Sequence, residues 1–467
     1  MFEGRLGDPG VPLAGWHLPI VIQAGGLLTR HVLPTIRLAL PVMIARAGLL
    51  VMTTVDTVMC GRLNAEEIAF YGIAQLPQMA LLLVGVGLLM GVVVVTAQLD
   101  GAGRRDECGR IWRLGLLNAL AAGLLVALLL WPGEWVLQLL GQDTAMAAGG
   151  GAAVTMFAFG MPAIFLFTAS SGFLEGISRP LPGMVVMALA NVLNAALNAV
   201  LMFGPLEMGA EGAALATSIT RWAMAVVLAG YILLMPGRRA YGVTLPMAGY
   251  WRLQGRLGRL GWPMALSFAL EHGAFFAAAM FAGWLGAISL AAYHIVLNTM
   301  ALVYMLAIGI AVATGVRVGN AVGIGDPSGI KQAGWVGVGI GVVTMLTLMP
   351  LLALANETIV AFYTDDRMVI QLAATGLLIA SWILVSDASQ GILIGALRGA
   401  ADIWPSLLIQ TVSFWFVAIP LCYFFAFYAK YNIYGLLFGL FFGLTTAGLL
   451  LGWRFVVLTR RDVRMVS

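Results

Sequence analysis

The sequence predicts an all-α integral membrane protein, with twelve transmembrane helices as two six-helix bundles related by a pseudo-twofold along the membrane normal. Three observations carry this expectation. Of 467 residues, 61% are hydrophobic and 10% are charged, whereas soluble domains hold about 25% charged residues. So few charges cannot cover a water-soluble body of this size. Twelve stretches each supply the roughly 20 mostly apolar residues that a span requires, and residues 222 positions apart repeat along the chain.

Residues 1–35 mix Gly, Pro and Arg with apolar runs too short to span, and read as a cytoplasmic or interfacial segment. No cleavable leader pattern opens the chain, so the first hydrophobic helix is expected to insert directly. The first half, 36–235, holds spans at 38–60, 69–96, 112–132, 148–173, 183–204 and 211–235. The second, 262–456, holds spans at 262–284, 287–316, 333–354, 369–397, 404–428 and 433–456. Runs such as 81–95 do not alternate as the strands of a membrane barrel would, so helices are expected throughout. A linker at 236–261 carries Arg238, Arg239, Arg252, Arg256 and Arg259, and residues 457–467 form a tail.

An even number of spans puts both termini on one side. With that side cytoplasmic, the inner segments hold 20 of the 25 Lys and Arg and the outer ones only three, Arg62, Arg367 and Lys430. The asymmetry predicts a multi-pass plasma-membrane protein with both termini inside. A net charge of +4 is too small for a nucleic-acid footprint. Cys60, Cys108 and Cys422 are far apart, without metal or disulfide spacing. No P-loop, HExxH or GxSxG occurs, so neither an enzyme nor a nucleotide-driven pump is expected, and no cofactor beyond a coupling ion.

The repeat pairs Pro41 with Pro263, Gly61 with Gly283, Tyr71 with Tyr293, Gly87 with Gly309 and Gly101 with Gly323. Six-helix repeats keep the same membrane orientation, which implies parallel halves around a cavity, a transporter architecture.

Ionisable residues inside spans are few: Arg46, Asp56, Glu175, Arg221, Glu271, His272, His294 and Asp387. Each needs a partner, a water-filled cavity or a task. Glu271 and Asp387 break the repeat, because their first-half counterparts are Leu49 and Thr168. A dehydrated pair of carboxylates can coordinate a small cation or hold a proton near neutral pH. Asp56 has Asn191, Asn194 and Asn198 at helical spacings for company, with Thr217 within reach from the sixth span. These oxygens suit a cation or a proton-responsive network, and an interhelical hydrogen bond is the alternative. His272 adjoins Glu271 and either tunes it or only packs. Arg46 and Arg221 are expected to neutralise nearby polar groups, and Glu175 to cap or pair near the inner loop. Phe275, Tyr293 and Met300, with His272, are candidates for an adaptable apolar cavity wall or else pack against lipid and neighbours, and Asp366 is a candidate acidic group near the outer mouth of the cavity.

The blocks Val55-Asp56-Thr57-Val58-Met59-Cys60-Gly61, Gly176-Ile177-Ser178-Arg179-Pro180, Arg317-Val318-Gly319-Asn320-Ala321 and Ala396-Leu397-Arg398-Gly399-Ala400-Ala401-Asp402 occur in order. With them the chain resembles the multidrug and toxic compound extrusion (MATE) family, in its NorM-like branch. The resemblance implies export of small cationic, amphipathic organic compounds in exchange for inward H+ or Na+, and a chain working as a monomer in the bilayer. It implies that Glu271 and Asp387 form the cation site of the second half, and it ties Asp56 to cation-driven bending of the first helix. Where some relatives carry a Tyr one turn before the second acid, this chain has Ile383, which favours H+ over Na+. A lipid-linked precursor flippase, which would need more cavity arginines, and a channel, which would show no counter-ion dependence, are the alternative functions.

Overall fold

The computed structural model describes residues 31–245, 250–461, 463 and 465. Among them twelve helices are long and apolar enough to cross a membrane. They are α1 (Leu33–Leu63), α2 (Ala65–Gly101), α3 (Arg105–Leu130), α4 (Thr144–Gly176), α5 (Leu181–Phe203) and α6 (Gly209–Leu234) in the first half. The second half holds α7 (Tyr250–Trp284), α8 (Ala287–Ile324), α9 (Pro327–Leu354), α10 (Arg367–Gly399), α11 (Ile403–Tyr428) and α12 (Asn432–Leu458). Each predicted span falls on one of these helices. The segment 1–35 lies outside the described residues up to position 30, as do parts of the linker and of the tail.

Polar caps fix several starts. Asn64 accepts the Glu67 N–H at 2.8 Å to open α2, and Asp143 accepts the Met146 N–H at 2.9 Å to open α4. The linker is shorter than expected, because α7 begins at Tyr250, inside the predicted 236–261 stretch. Leu253, Leu257 and Leu260 recur on one helical face and are buried in the first half's core, with the arginines on the turns between them. Two short helices, Gly133–Leu139 and Asn356–Ala361, follow α3 and α9 at equivalent places in the two halves.

One core fills the first half around Phe157, Phe165 and Phe173, and another fills the second around Ile383, Phe414 and Leu440. The halves meet through repeat-related contacts. A Cβ on Gly87 of α2 would stand 2.7 Å from Ala265 Cα on α7, and one on Gly309 of α8 would stand 2.9 Å from the Met43 nitrogen on α1. Gly87 and Gly309 are repeat mates, and so are Met43 and Ala265. The pattern recurs lower down, where a Cβ on Gly101 would stand 2.7 Å from Asn320 Cα and one on Gly323 would stand 3.0 Å from the Gln98 carbonyl carbon. These contacts run from mid-helix to the ends that carry the linker. A cluster of Leu38, Val42, Val93, Ile310, Ala313 and Val316 seals the same region. We call this the linker side and its opposite the far side.

Candidate functional site

Just beyond the sealed region lies a cavity of about 400 Å3 between the halves, within the size range of small-molecule sites. Met90, Val93 and Val94 of α2 form the first-half wall, and α7, α8 and α10 form the rest. The lining is apolar apart from Glu271, His272, Tyr304, Asp387 and Arg398. The structure therefore brings Glu271 and Asp387 into one space, from α7 and α10, with His272, Phe275 and Met300 on the same walls.

Glu271 is held through a polar chain. Gln410 of α11 donates to its Oε2 at 3.4 Å, Ser267 donates to Gln410 Oε1, and Arg398 donates to Ser267 Oγ at 3.3 Å. Gln410 stands just ahead of Val412–Ala418, where α11 is wound wide with i→i+5 bonds, a feature frequent at functional sites. The Arg398 guanidinium lies 4.9 Å over the Phe268 ring, a cation–π contact. His272 is exposed, its Nδ1 2.9 Å from the Phe268 carbonyl and its ring stacked on Phe268. Among the described residues no side chain hydrogen-bonds to Asp387, which feels the charge of Glu271. The arrangement is an apolar chamber with two carboxylates and one resident guanidinium, able to hold an organic cation by charge and a proton or small cation in its place.

The first-half constellation is compact and sealed. Asp56 is 1% exposed. Its Oδ2 accepts from Tyr71 Oη at 2.8 Å and Thr217 Oγ1 at 2.6 Å, and its Oδ1 accepts from Asn198 Nδ2 at 2.6 Å. Asn194 donates to Thr217 Oγ1 at 3.2 Å and its Oδ1 receives Asn198 Nδ2 at 3.4 Å. Three donors converging on one carboxyl match an ionised carboxylate. Asn191 turns instead to the Met187 carbonyl at 2.9 Å. Tyr71, which the sequence reading did not attach to this network, is the donor it missed; the signal was a lone Tyr fifteen residues past Asp56 across a tight α1–α2 turn.

Two expected cavity residues lie elsewhere. Asp366 caps α10, accepting the Met368 N–H at 2.8 Å, and at 1.5 Å per residue it stands roughly 30 Å along the axis from Asp387. Tyr293 is fully buried in the second half's core, three turns farther toward the far side than Tyr304. Tyr304 is the phenol that shares the cavity with both acids, and the charges of both reach it. Ile383 is buried in that core as well and does not line the cavity. Arg398, counted from the sequence among the inner-loop cations, lines the cavity because α10 runs on to Gly399.

The remaining intramembrane charges find partners. Arg46 lies 3.4 Å from Glu175 Oε1, which also accepts from Ser171 at 2.9 Å. Arg221 donates to Gln78 Oε1 at 3.2 Å and lies over the Phe157 ring at 5.6 Å. His294 is exposed.

Comparison with known proteins agrees with this architecture. The family model described as MatE matches residues 41–200 and 263–424, two segments whose starts are offset by the repeat spacing. The chain is 33% identical over 411 residues to a probable multidrug resistance protein NorM of Caulobacter vibrioides, covering 85% of this chain and 86% of that protein. It is 32% identical over 392 residues to the multidrug resistance protein NorM of Vibrio vulnificus strain YJ016, covering 83% and 86%. Its fold superposes on the eukaryotic MATE transporter AtDTX14 with a TM-score of 0.86 at 21% identity, covering 92% and 96% of the two chains. On an outward-facing MATE family transporter of the MOP superfamily the score is 0.85 at 19% identity, with the same coverage.

Proposed function

The chain belongs to the MatE family, and from that premise we propose how it carries out multidrug efflux: cationic organic compounds and an inward-moving ion take turns at Glu271 and Asp387. The observation that carries the reading is the shared cavity between the halves, where two carboxylates stand in a largely apolar lining. An aromatic and methionine wall can adapt to many organic shapes, while the acids select for positive charge.

The inward ion, on this reading, is H+. The polar company of the acids is His272, one phenol, one guanidinium and the Gln410–Ser267 chain, which suits a group that gains and loses a proton. Entry of the ion from the far side neutralises the acids and releases the organic cation there. Its loss on the linker side restores an anionic site that loads substrate again. A ligand shifts such an equilibrium only through its differential affinity for the two states. The linker side is the cytoplasmic one, supported by the 20-to-3 distribution of Lys and Arg.

The deciding experiment is ethidium efflux from proteoliposomes under an imposed pH gradient or an imposed Na+ gradient, each alone. A pH gradient is expected to drive efflux. Efflux driven by Na+ alone would overturn the proton reading, and flux independent of both gradients would point to a channel.

A further inference from the structure

On the linker side α3 of the first half and α7 of the second meet along a seam. A reciprocal amide pair ties them, Asn118 to Gln254 at 3.3 Å and Gln254 back to Asn118 at 2.7 Å. Arginines stand in the first turns of both helices, Arg110 and Arg113 on α3, Arg104 just ahead of it, and Arg252 and Arg256 on α7, and Arg104 and Arg252 face Arg256.

Their partners are unevenly shared. Arg104 holds Glu107 at 2.9 Å, and Arg113 donates to the Leu245 carbonyl. Arg256 is 3% exposed, yet among the described residues its Nε and Nη2 have no hydrogen-bond partner. The charged groups that face Arg256 are Arg104, Arg252 and Glu107. Glu107, the single anion among them, is already taken by Arg104. A buried guanidinium without a counter-charge is strongly unfavourable. Arg252 is exposed, which opens the cluster to the outside, and Trp251 beside it is 82% exposed, as befits a membrane–water boundary.

We propose that this seam is a binding site for a phosphate group, with Arg252 and Arg256 of α7 and Arg104 just ahead of α3 as donors. Guanidinium forks match phosphate oxygens in pairs, and a basic pocket between helices at headgroup depth suits an anionic phospholipid. Free inorganic phosphate presents the same chemistry. Because the donors come from both halves, the bound anion bridges them where they already touch.

Native mass spectrometry of the purified full-length protein tests this, with phosphatidylglycerol titrated against phosphatidylcholine. Phosphatidylglycerol is expected to bind in a saturable, tighter mode, weakened about fivefold or more by Arg256→Gln, since each arginine near the surface contributes at about that level. Arg252→Gln, at an exposed position, is expected to weaken it too and decides the matter should Arg256→Gln not fold, while Arg460→Gln on the tail leaves it unchanged. Displacement of the lipid by inorganic phosphate assigns the site to phosphate itself; retention against inorganic phosphate assigns it to the lipid. Equal binding of both lipids, or wild-type binding of phosphatidylglycerol by Arg256→Gln and Arg252→Gln, overturns the proposal.

Discussion

Asn198 of α5 presents its amide nitrogen 2.6 Å from Asp56 Oδ1 on α1, and leaves its own buried carbonyl oxygen without a partner. The amide thus forgoes a hydrogen bond of its own to serve as donor to the carboxylate. The first-half network is organised around the Asp56 carboxyl group.

Removing that donor is expected to weaken the fold. Asn198→Ala should lower unfolding stability by about 1.5–3 kcal/mol, the range for a hydrogen bond to a charged group, read as a lower midpoint in thermal unfolding in detergent. Asp56→Asn should impair ion-driven efflux as well, because an amide cannot accept from all three donors. Wild-type midpoints and rates in both variants would remove the network from the mechanism.

Glu271→Gln and Asp387→Asn are each expected to abolish gradient-driven efflux while a cationic dye still binds, more weakly, because the apolar walls of the cavity are untouched and the other acid remains. Ethidium transport and fluorescence binding on the same preparations separate the two effects. If both variants pump at wild-type rates, coupling resides at Asp56.

Arg398 occupies the same chamber and lies in the field of Glu271. Replacing it with Met removes a resident competitor, and the affinity for a monovalent cationic dye should rise roughly tenfold, equivalent to about 1.4 kcal/mol. Unchanged or weaker dye affinity for Arg398→Met would count against competition between this guanidinium and the substrate.

The close approach of the halves leaves no room for a methyl group at Gly87, where the nearest atoms are backbone. Gly87→Ala should destabilise the protein by about 1–3 kcal/mol through overpacking. Gly230→Ala on α6, which meets nothing within 4 Å, should be neutral or stabilising by up to about 1 kcal/mol from helix propensity. Matching thermal shifts for the two variants would contradict this close packing.

Topology is testable in a background lacking Cys60, Cys108 and Cys422, all buried. A cysteine at Lys430 should react with a membrane-impermeant maleimide added outside intact cells, and one at Arg239 only after permeabilisation. The opposite pattern would invert the orientation of the chain.

Spans, repeat and intramembrane acids were legible because each depends on local composition or on spacing that survives duplication. The start of α7 was not, because its arginines masked three leucines on one face that dock on the other half. Tyr293 was misplaced for a related reason: helical spacing gives a residue's face but not the depth at which a cavity ends. Tyr304 and Arg398 entered the site through that same depth, which is set by packing between distant helices.

Gly87 with Ala265 and Gly309 with Met43 are one contact made twice, as in an isologous dimer of identical subunits. In such a dimer any carboxylate placed at the axis would face its own copy. Joining the two subunits into one gene product lifts that restriction, since each position can then mutate alone. Only in the fused chain can Glu271 and Asp387 have Leu49 and Thr168 as repeat counterparts, so that the two halves carry different ionisable groups inside a nearly symmetric frame.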